Sequence, residues 1–240
     1  MSAEAADVHV EPPEPLRGPG SSTGSRGARS VGRLLALVVV AVVLVAGIRL
    51  LLVQSFVIPS SSMRPLLQAG DRVLVSRWDH LRGDVRRGDV IVFDGDGVFD
   101  PPAAPDRSPL VAIGQRVAKV LGLPAGESDY VKRVIGLPGE RVVCCDASGR
   151  ITVDGRPLAE PYLERPGRAS SLRFDIRVPA GRLWVMGDNR DDSGDSRAHL
   201  GDPGGGTVPL DHVVGRVMTV WWPWGRTTGV GRTDYPSAPS

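Results

Sequence analysis

The sequence predicts a mainly β domain carried on a single N-terminal transmembrane helix, with few short helices of its own. Three observations lead there. One long apolar run occurs, at residues 34–53. From residue 56 the apolar residues come in short stretches separated by Gly, Pro and Asp, which is a strand pattern. Only one stretch reads as a helix, residues 109–121, with Ser108 as N-cap, Pro109 in the first turn and Gly122 as its stop.

Taken in order, residues 1–30 are rich in Gly, Pro, Ser, Ala and charge and carry no apolar period, so they are expected to form a disordered cytoplasmic tail. Residues 31–53 form the anchor. Twenty apolar residues at ~1.5 Å each span ~30 Å, one hydrocarbon thickness. Arg49 lies near the far end, where a long side chain reaches the interface. Arg26, Arg29 and Arg33 precede the run and place the N-terminus in the cytoplasm, so everything after Val53 is outside. A cleaved signal peptide fits less well, because its apolar stretch is usually ~7–15 residues long. Leu44 would also occupy the −3 position of a cut after Ala46.

Residues 54–226 form the folded domain, with an exposed acidic, proline-rich insertion at 94–107 and a flexible tail at 227–240. Strands are expected at 71–78, 88–93, 129–136, 140–145, 150–154, 181–187 and 215–222. Asp146-Ala147-Ser148-Gly149 suits a hairpin turn between two of them.

Several function classes fall away on composition. A formal charge of +2, with scattered arginines, gives no footprint for nucleic acid. Cys144 and Cys145 are adjacent, which fits neither a zinc spacing nor a disulfide framework. Across a trans peptide their Cα atoms stand ~3.8 Å apart, short of the usual ~4.4–6.8 Å for a disulfide, so two unlinked strand residues are expected. His80, His199 and His212 lie in polar, loop-like stretches and offer no Ser-His-Asp triad. Asp188, Asp191, Asp192 and Asp195 lack the glycine and terminal glutamate of a calcium loop, so no metal is expected.

What remains is a serine cluster and a lysine. The chain holds only two lysines, and Lys132 stands in an apolar, strand-like segment, Asp129-Tyr130-Val131-Lys132-Arg133-Val134-Ile135-Gly136. Lysine, unlike arginine, gives up its proton inside a protein, and desolvation lowers its pKa by up to ~3–5 units. A neutral amine is the base that a serine hydroxyl needs to become a nucleophile. Ile58-Pro59-Ser60-Ser61-Ser62-Met63-Arg64-Pro65 supplies three candidate hydroxyls directly after the apolar run.

These segments carry a family resemblance. The serine segment, extended to Leu66-Leu67, resembles the serine motif of bacterial type I signal peptidases. Arg87-Gly88-Asp89-Val90-Ile91-Val92-Phe93 resembles their next motif, and the Lys132 segment, extended to Leu137-Pro138-Gly139-Glu140, resembles their lysine motif. Met186-Gly187-Asp188-Asn189-Arg190-Asp191-Asp192-Ser193-Gly194-Asp195-Ser196-Arg197 resembles the last. Four motifs stand in the family's order over roughly residues 56–224. Leu66 departs from the threonine common after the proline.

The resemblance implies a membrane-anchored serine endopeptidase whose extracytoplasmic domain is built of antiparallel β-sheet. It would remove signal peptides from exported preproteins, cutting after a small-x-small site such as Ala-x-Ala, at the bacterial cell membrane. Ser62 would be the nucleophile and Lys132 its general base; no cofactor is needed. The Ser62 N–H and the Ser60 hydroxyl would form the oxyanion hole, and Ser193 would orient the lysine. Asp188 with Arg133, and Asp195 with Arg197, would be supporting ion pairs. Phe56, Ile58, Met63, Leu67, Tyr130 and Val131 would line the substrate pockets. Partners would be signal-peptide-bearing preproteins and the lipid bilayer. Rival classes are a self-cleaving repressor-type Ser-Lys peptidase, a peptidase dedicated to a few precursors such as pilins, and a non-catalytic assembly factor. The first carries a DNA-binding region in place of an anchor, and the last would be expected to lack the serine or the lysine. Trp221, Trp222 and Trp224 read equally as membrane-interface indoles or as core of a terminal strand.

Overall fold

The computed structural model describes residues 25–78, 83–101, 128–165 and 169–232; within its helix, the side chains of 25–32, 45–46 and 48–51 are not described. The expected helix at 109–121, His80 and the extreme tails therefore lie outside the described residues. Helix α1 (Ser25–Leu52) spans 28 residues. It starts inside the expected tail, because the Ser, Arg and Ala residues before the apolar run are compatible with helix. Among the described residues no helix is long and apolar enough to cross a membrane. The described apolar side chains between Leu34 and Leu44 are all exposed. The chain falls into two compact units, Met1–Ala46 and Gly47–Ser240.

The second unit is two antiparallel sheets. The larger has eight strands in the order β1 (Val53–Val57), β2 (Arg72–Ser76), β11 (Val213–Trp222), β3 (Val90–Asp94), β4 (Asp129–Gly136), β9 (Arg182–Met186) and β10 (Val208–Pro209), with β12 (Thr228–Gly229) beside β11. The smaller runs β7 (Arg156–Pro157), β6 (Ile151–Val153), β5 (Arg141–Cys144), β8 (Phe174–Arg177). All seven expected strands occur. The short strands β1, β7, β8, β10 and β12 were not expected, being too brief or too polar to show a period of two.

Strand β3 is a continuous apolar run, Val90-Ile91-Val92-Phe93, buried on both faces. Val90 and Val92 pack into a core with Ile58, Met63, Leu67, Val131 and Val217, while Ile91 and Phe93 pack into another with Val134, Leu183 and Val185. The expected hairpin forms: β5 pairs with β6, and Gly149 closes the turn at φ 78° by donating to Asp146, a conformation that favours glycine.

Three expectations need correction. The start of the insertion is not exposed: Val98 and Phe99 are buried, Phe99 against Phe93, Tyr130 and His199, because two apolar residues within the acidic loop complete the second core. Residues 227–232 are not a flexible tail. Val230 is buried in the first core, and Arg232 pairs with Asp84. Cys144 and Cys145 are joined by a disulfide across a cis peptide; the expectation of unlinked cysteines assumed the trans form.

Candidate active site

The site forms where three pieces of the large sheet meet. The loop between β1 and β2 carries Ser60, Ser61 and Ser62. Central strand β4 carries Lys132 and Arg133, and the chain leaving β9 carries Gly187 to Arg197. Lys132 Nζ lies 3.0 Å from Ser62 Oγ and also donates to the Val131 carbonyl at 3.1 Å. Both residues are buried, Lys132 to 4 % exposure and Ser62 to 7 %. Burial lowers the Lys132 amine from 10.5 to about 8, against the opposing pull of the Asp195 and Asp188 carboxylates. At that value roughly one amine in ten is neutral at pH 7, about 300-fold more than for an unperturbed lysine. A neutral amine accepts the serine proton, and an ammonium donates to the serine oxygen.

The chain after β9 clamps the serine loop. Asn189 N–H donates to the Ser62 carbonyl at 3.0 Å, and Asn189 Nδ2 donates to the Ser61 carbonyl at 3.3 Å. The Ser61 hydroxyl donates to Asp192 at 2.5 Å. Gly187 permits this approach: a Cβ there would stand 2.5 Å from the Ser62 carbonyl oxygen and closer still to Ser193 Oγ. Ser60 is exposed, its hydroxyl 3.2 Å from Ser62 Oγ.

Buried arginine–carboxylate pairs surround this point. Arg133 grips Asp188 through two bonds of 2.7 and 2.6 Å and donates to the Gly88 carbonyl, with its guanidinium 4.0 Å from the Tyr162 ring centre. Burial pushes the Asp188 carboxyl up, and Arg133 works against that shift. Asp195 accepts two bonds of 2.8 Å from Arg197 and one of 2.9 Å from the Gly187 N–H. Burial acts to raise the Asp195 carboxyl, but the Arg197 charge and the Gly187 N–H leave it below its ordinary value.

The structure thus brings Ser60, Ser62, Lys132, Asp188, Arg133, Asp195 and Arg197 together. Ser193 reaches the same place, but its hydroxyl is buried without a hydrogen-bond partner. The bond to Lys132 implied by the resemblance is not formed; the amine meets Ser62 and the Val131 carbonyl. Of the expected pocket residues, Ile58, Met63 and Leu67 are core. Phe56 keeps accessible surface beside that core. Val131 is a buried member of it, and Tyr130 turns to the other core and donates to Asp100 at 2.8 Å.

Sequence reasoning missed a third buried pair. Arg190 pairs with Glu160, donates to the Ala169 carbonyl at 2.5 Å and reaches the Gly187 carbonyl at 3.0 Å. Nothing in the sequence around Glu160 marks it. Also missed were the clamping roles of Asn189 and Asp192, though both stand inside a motif. Trp222 and Trp224 are exposed to 41 % and 74 % and pack edge to face, and Trp221 donates to Ser55. None of the three is core.

The signal peptidase, peptidase S26, family matches residues 31–222. Signal peptidase I of Mycobacterium tuberculosis is 39 % identical over 214 residues, covering 79 % of this chain and 72 % of that one. A probable signal peptidase I of Mycobacterium leprae is 38 % identical, covering 75 % and 72 %. Signal peptidase I T of Bacillus subtilis is 31 % identical, covering 78 % and 83 %.

Proposed function

The chain belongs to the signal peptidase, peptidase S26, family, and on that premise we propose that it is a serine endopeptidase that removes signal peptides from exported preproteins by a Ser62–Lys132 dyad. The observation that carries the reading is the 3.0 Å contact between a buried lysine amine and a buried serine hydroxyl. Neutral Lys132 takes the Ser62 proton as Oγ adds to the scissile carbonyl. The ammonium then gives that proton to the leaving amine as the C–N bond breaks, leaving an ester on Ser62. In the second half the amine takes a proton from the attacking water, and Ser62 regains it as the carboxylic acid departs.

The oxyanion formed in each half would be met by the Ser62 N–H and the Ser60 hydroxyl, donors worth ~2.7–4 kcal/mol apiece at comparable sites. Ser193 would steady the lysine once substrate excludes water. The Arg133–Asp188 and Asp195–Arg197 pairs hold β4 and the chain after β9 in place and take no part in bond making. Phe56, which keeps accessible surface beside the core of Ile58, Met63, Leu67 and Val131, would line the pockets for small side chains, in keeping with a small-x-small site.

Helix α1 serves as a single-pass anchor in a bacterial cell membrane, with the N-terminus cytoplasmic and the catalytic unit outside. Its described apolar side chains are exposed all round, and such a helix needs an apolar surrounding. Trp222 and Trp224 would add interfacial contact with lipid.

The test is cleavage of a preprotein with an Ala-x-Ala site by the full-length protein in detergent, beside Ser62→Ala and Lys132→Ala. Cleavage at that site, lost in both variants, is the expected result. Cleavage surviving in either variant overturns the dyad, and a folded wild type that does not cleave overturns the activity.

A further inference from the structure

We propose that Arg226 is a positioning residue for the nucleophile, holding the Ser62 loop by its grip on Asp71 at the loop's base. The proposal rests on Ser62 being the nucleophile. The loop spans residues 58–71 and is closed by Ile58 N–H to the Asp71 carbonyl and Gly70 N–H to the Ile58 carbonyl, both 2.8 Å. Asp71 is almost wholly buried, and its carboxylate accepts the Gln68 N–H at 2.8 Å. Among the described residues its charged partner is Arg226, which donates Nε to one oxygen and Nη2 to the other, each at 3.0 Å. The same Nη2 stands 3.5 Å from the Leu66 carbonyl.

These contacts lead directly to the nucleophile. Leu67 N–H donates to the Met63 carbonyl at 2.9 Å, closing the turn that follows Ser62. Arg226 meets that turn at Leu66 and the base of the loop at Asp71. Asn189 N–H holds the Ser62 carbonyl at 3.0 Å. The serine loop is therefore held both by the chain after β9 and by the short 3-10 turn Trp224–Arg226 (η2) that follows β11. Val230, four residues on, is buried in the same core as Ile58, Met63 and Leu67. Without the guanidinium, the Asp71 carboxylate would be buried against one N–H alone. A buried carboxylate left without its counter-charge is costly, and relieving that cost with water or a proton would loosen the loop base that Asp71 holds through the Gln68 N–H. A shift of ~1 Å at a reacting atom costs on the order of 100-fold in rate.

The experiment measures steady-state cleavage of a fluorogenic Ala-x-Ala peptide by the full-length protein in detergent. It compares Arg226→Ala, Arg226→Lys, Arg226→Ala/Asp71→Asn, Ser62→Ala and the exposed control Arg141→Ala. In Arg226→Ala, kcat is expected to fall roughly 10–100-fold, with KM within about threefold and the pH midpoint unmoved. Because Arg226 is a third exposed, ethylguanidinium is expected to restore kcat in Arg226→Ala, and to fail where Asp71 is also changed. Arg226→Lys is expected to fall between, a point charge replacing a two-bond grip. Arg141→Ala is expected to match wild type. Unchanged kcat in Arg226→Ala with an inactive Ser62→Ala overturns this inference and spares the nucleophile. A lowered melting temperature with no ethylguanidinium rescue makes Arg226 a stability residue only, which also overturns it. An active Ser62→Ala overturns both readings.

Discussion

The two sheets treat charge in opposite ways. At the centre of the large sheet and in the chain after β9, Lys132, Arg133, Asp188, Arg190, Asp195 and Arg197 are all buried. The small sheet buries Val142, Ile151, Val153 and Phe174 and keeps its Arg141–Asp175 and Arg150–Asp146 pairs at the surface. A buried charge costs several kcal/mol even after relaxation and water entry. A fold therefore holds such groups where their fixed geometry has a use. The small sheet follows the ordinary rule of apolar inside and charge outside, and the large sheet departs from it around one serine.

The sharpest way to break the comparison is at Lys132 and Ser62. Lys132→Met and Ser62→Ala are each expected to remove cleavage by several orders of magnitude, whereas Arg141→Ala leaves kcat and KM unchanged. An assay finding equal losses in both sheets would abolish the distinction.

Next come the paired ions. Arg133→Met leaves the Asp188 carboxylate buried and unpaired, a change expected to cost about 3–5 kcal/mol in chemical unfolding. Replacing both partners with apolar residues should recover much of it. The Arg141–Asp175 pair, about half exposed on both sides, is expected to shift the melting temperature little when broken, since exposed pairs contribute ~0–1 kcal/mol.

Lys132 itself works against stability. Its folded pKa of about 8 lies below the unfolded 10.5, so between those values the unfolded chain binds more protons and stability rises with pH. Below pH 8 the folded state carries the full cost, about 3 kcal/mol at ~1.4 kcal/mol per unit. Lys132→Met is thus expected to be inactive yet more stable than wild type at pH 7, the gain shrinking toward pH 10.5; denaturation curves across that window check it. Wild-type kcat/KM should climb through pH 8, where the folded Lys132 loses its proton, and level off above it.

The smallest effect is expected at Ser61, whose hydroxyl bonds Asp192 at an exposed position. Ser61→Ala should retain cleavage with a loss of severalfold at most, since one such bond contributes ~1 kcal/mol.

Much of this was legible in the chain. Strand β4 was read with its observed bounds, because Val131, Val134 and Ile135 make it strand-like and Leu137-Pro138-Gly139 ends it. Lys132 stood out because it is one of two lysines among so many arginines and stands in an apolar strand. Strands β8 and β12 were not legible, since Phe174–Arg177 and Thr228–Gly229 hold too few apolar residues to carry a period and form only as partners of β5 and β11. Glu160 and Arg226 were missed for a related reason: a lone charge in a loop looks solvated until its partner is known.

By itself, the sequence determined the local terms: where the longer strands form, where the apolar run lies, and which hydroxyls and which amine are chemically suited to each other. Those depend on neighbours within a few residues, and their periodicities survive in one dimension. Tertiary structure alone decided that Lys132 reaches Ser62, 70 residues away in sequence. It also decided that Asp188 meets Arg133, Glu160 meets Arg190, and Arg226 closes on Asp71. Hydrogen bonds and ion pairs act over ~3–4 Å between atoms, and such proximity between distant residues exists only once strand pairing has fixed the register.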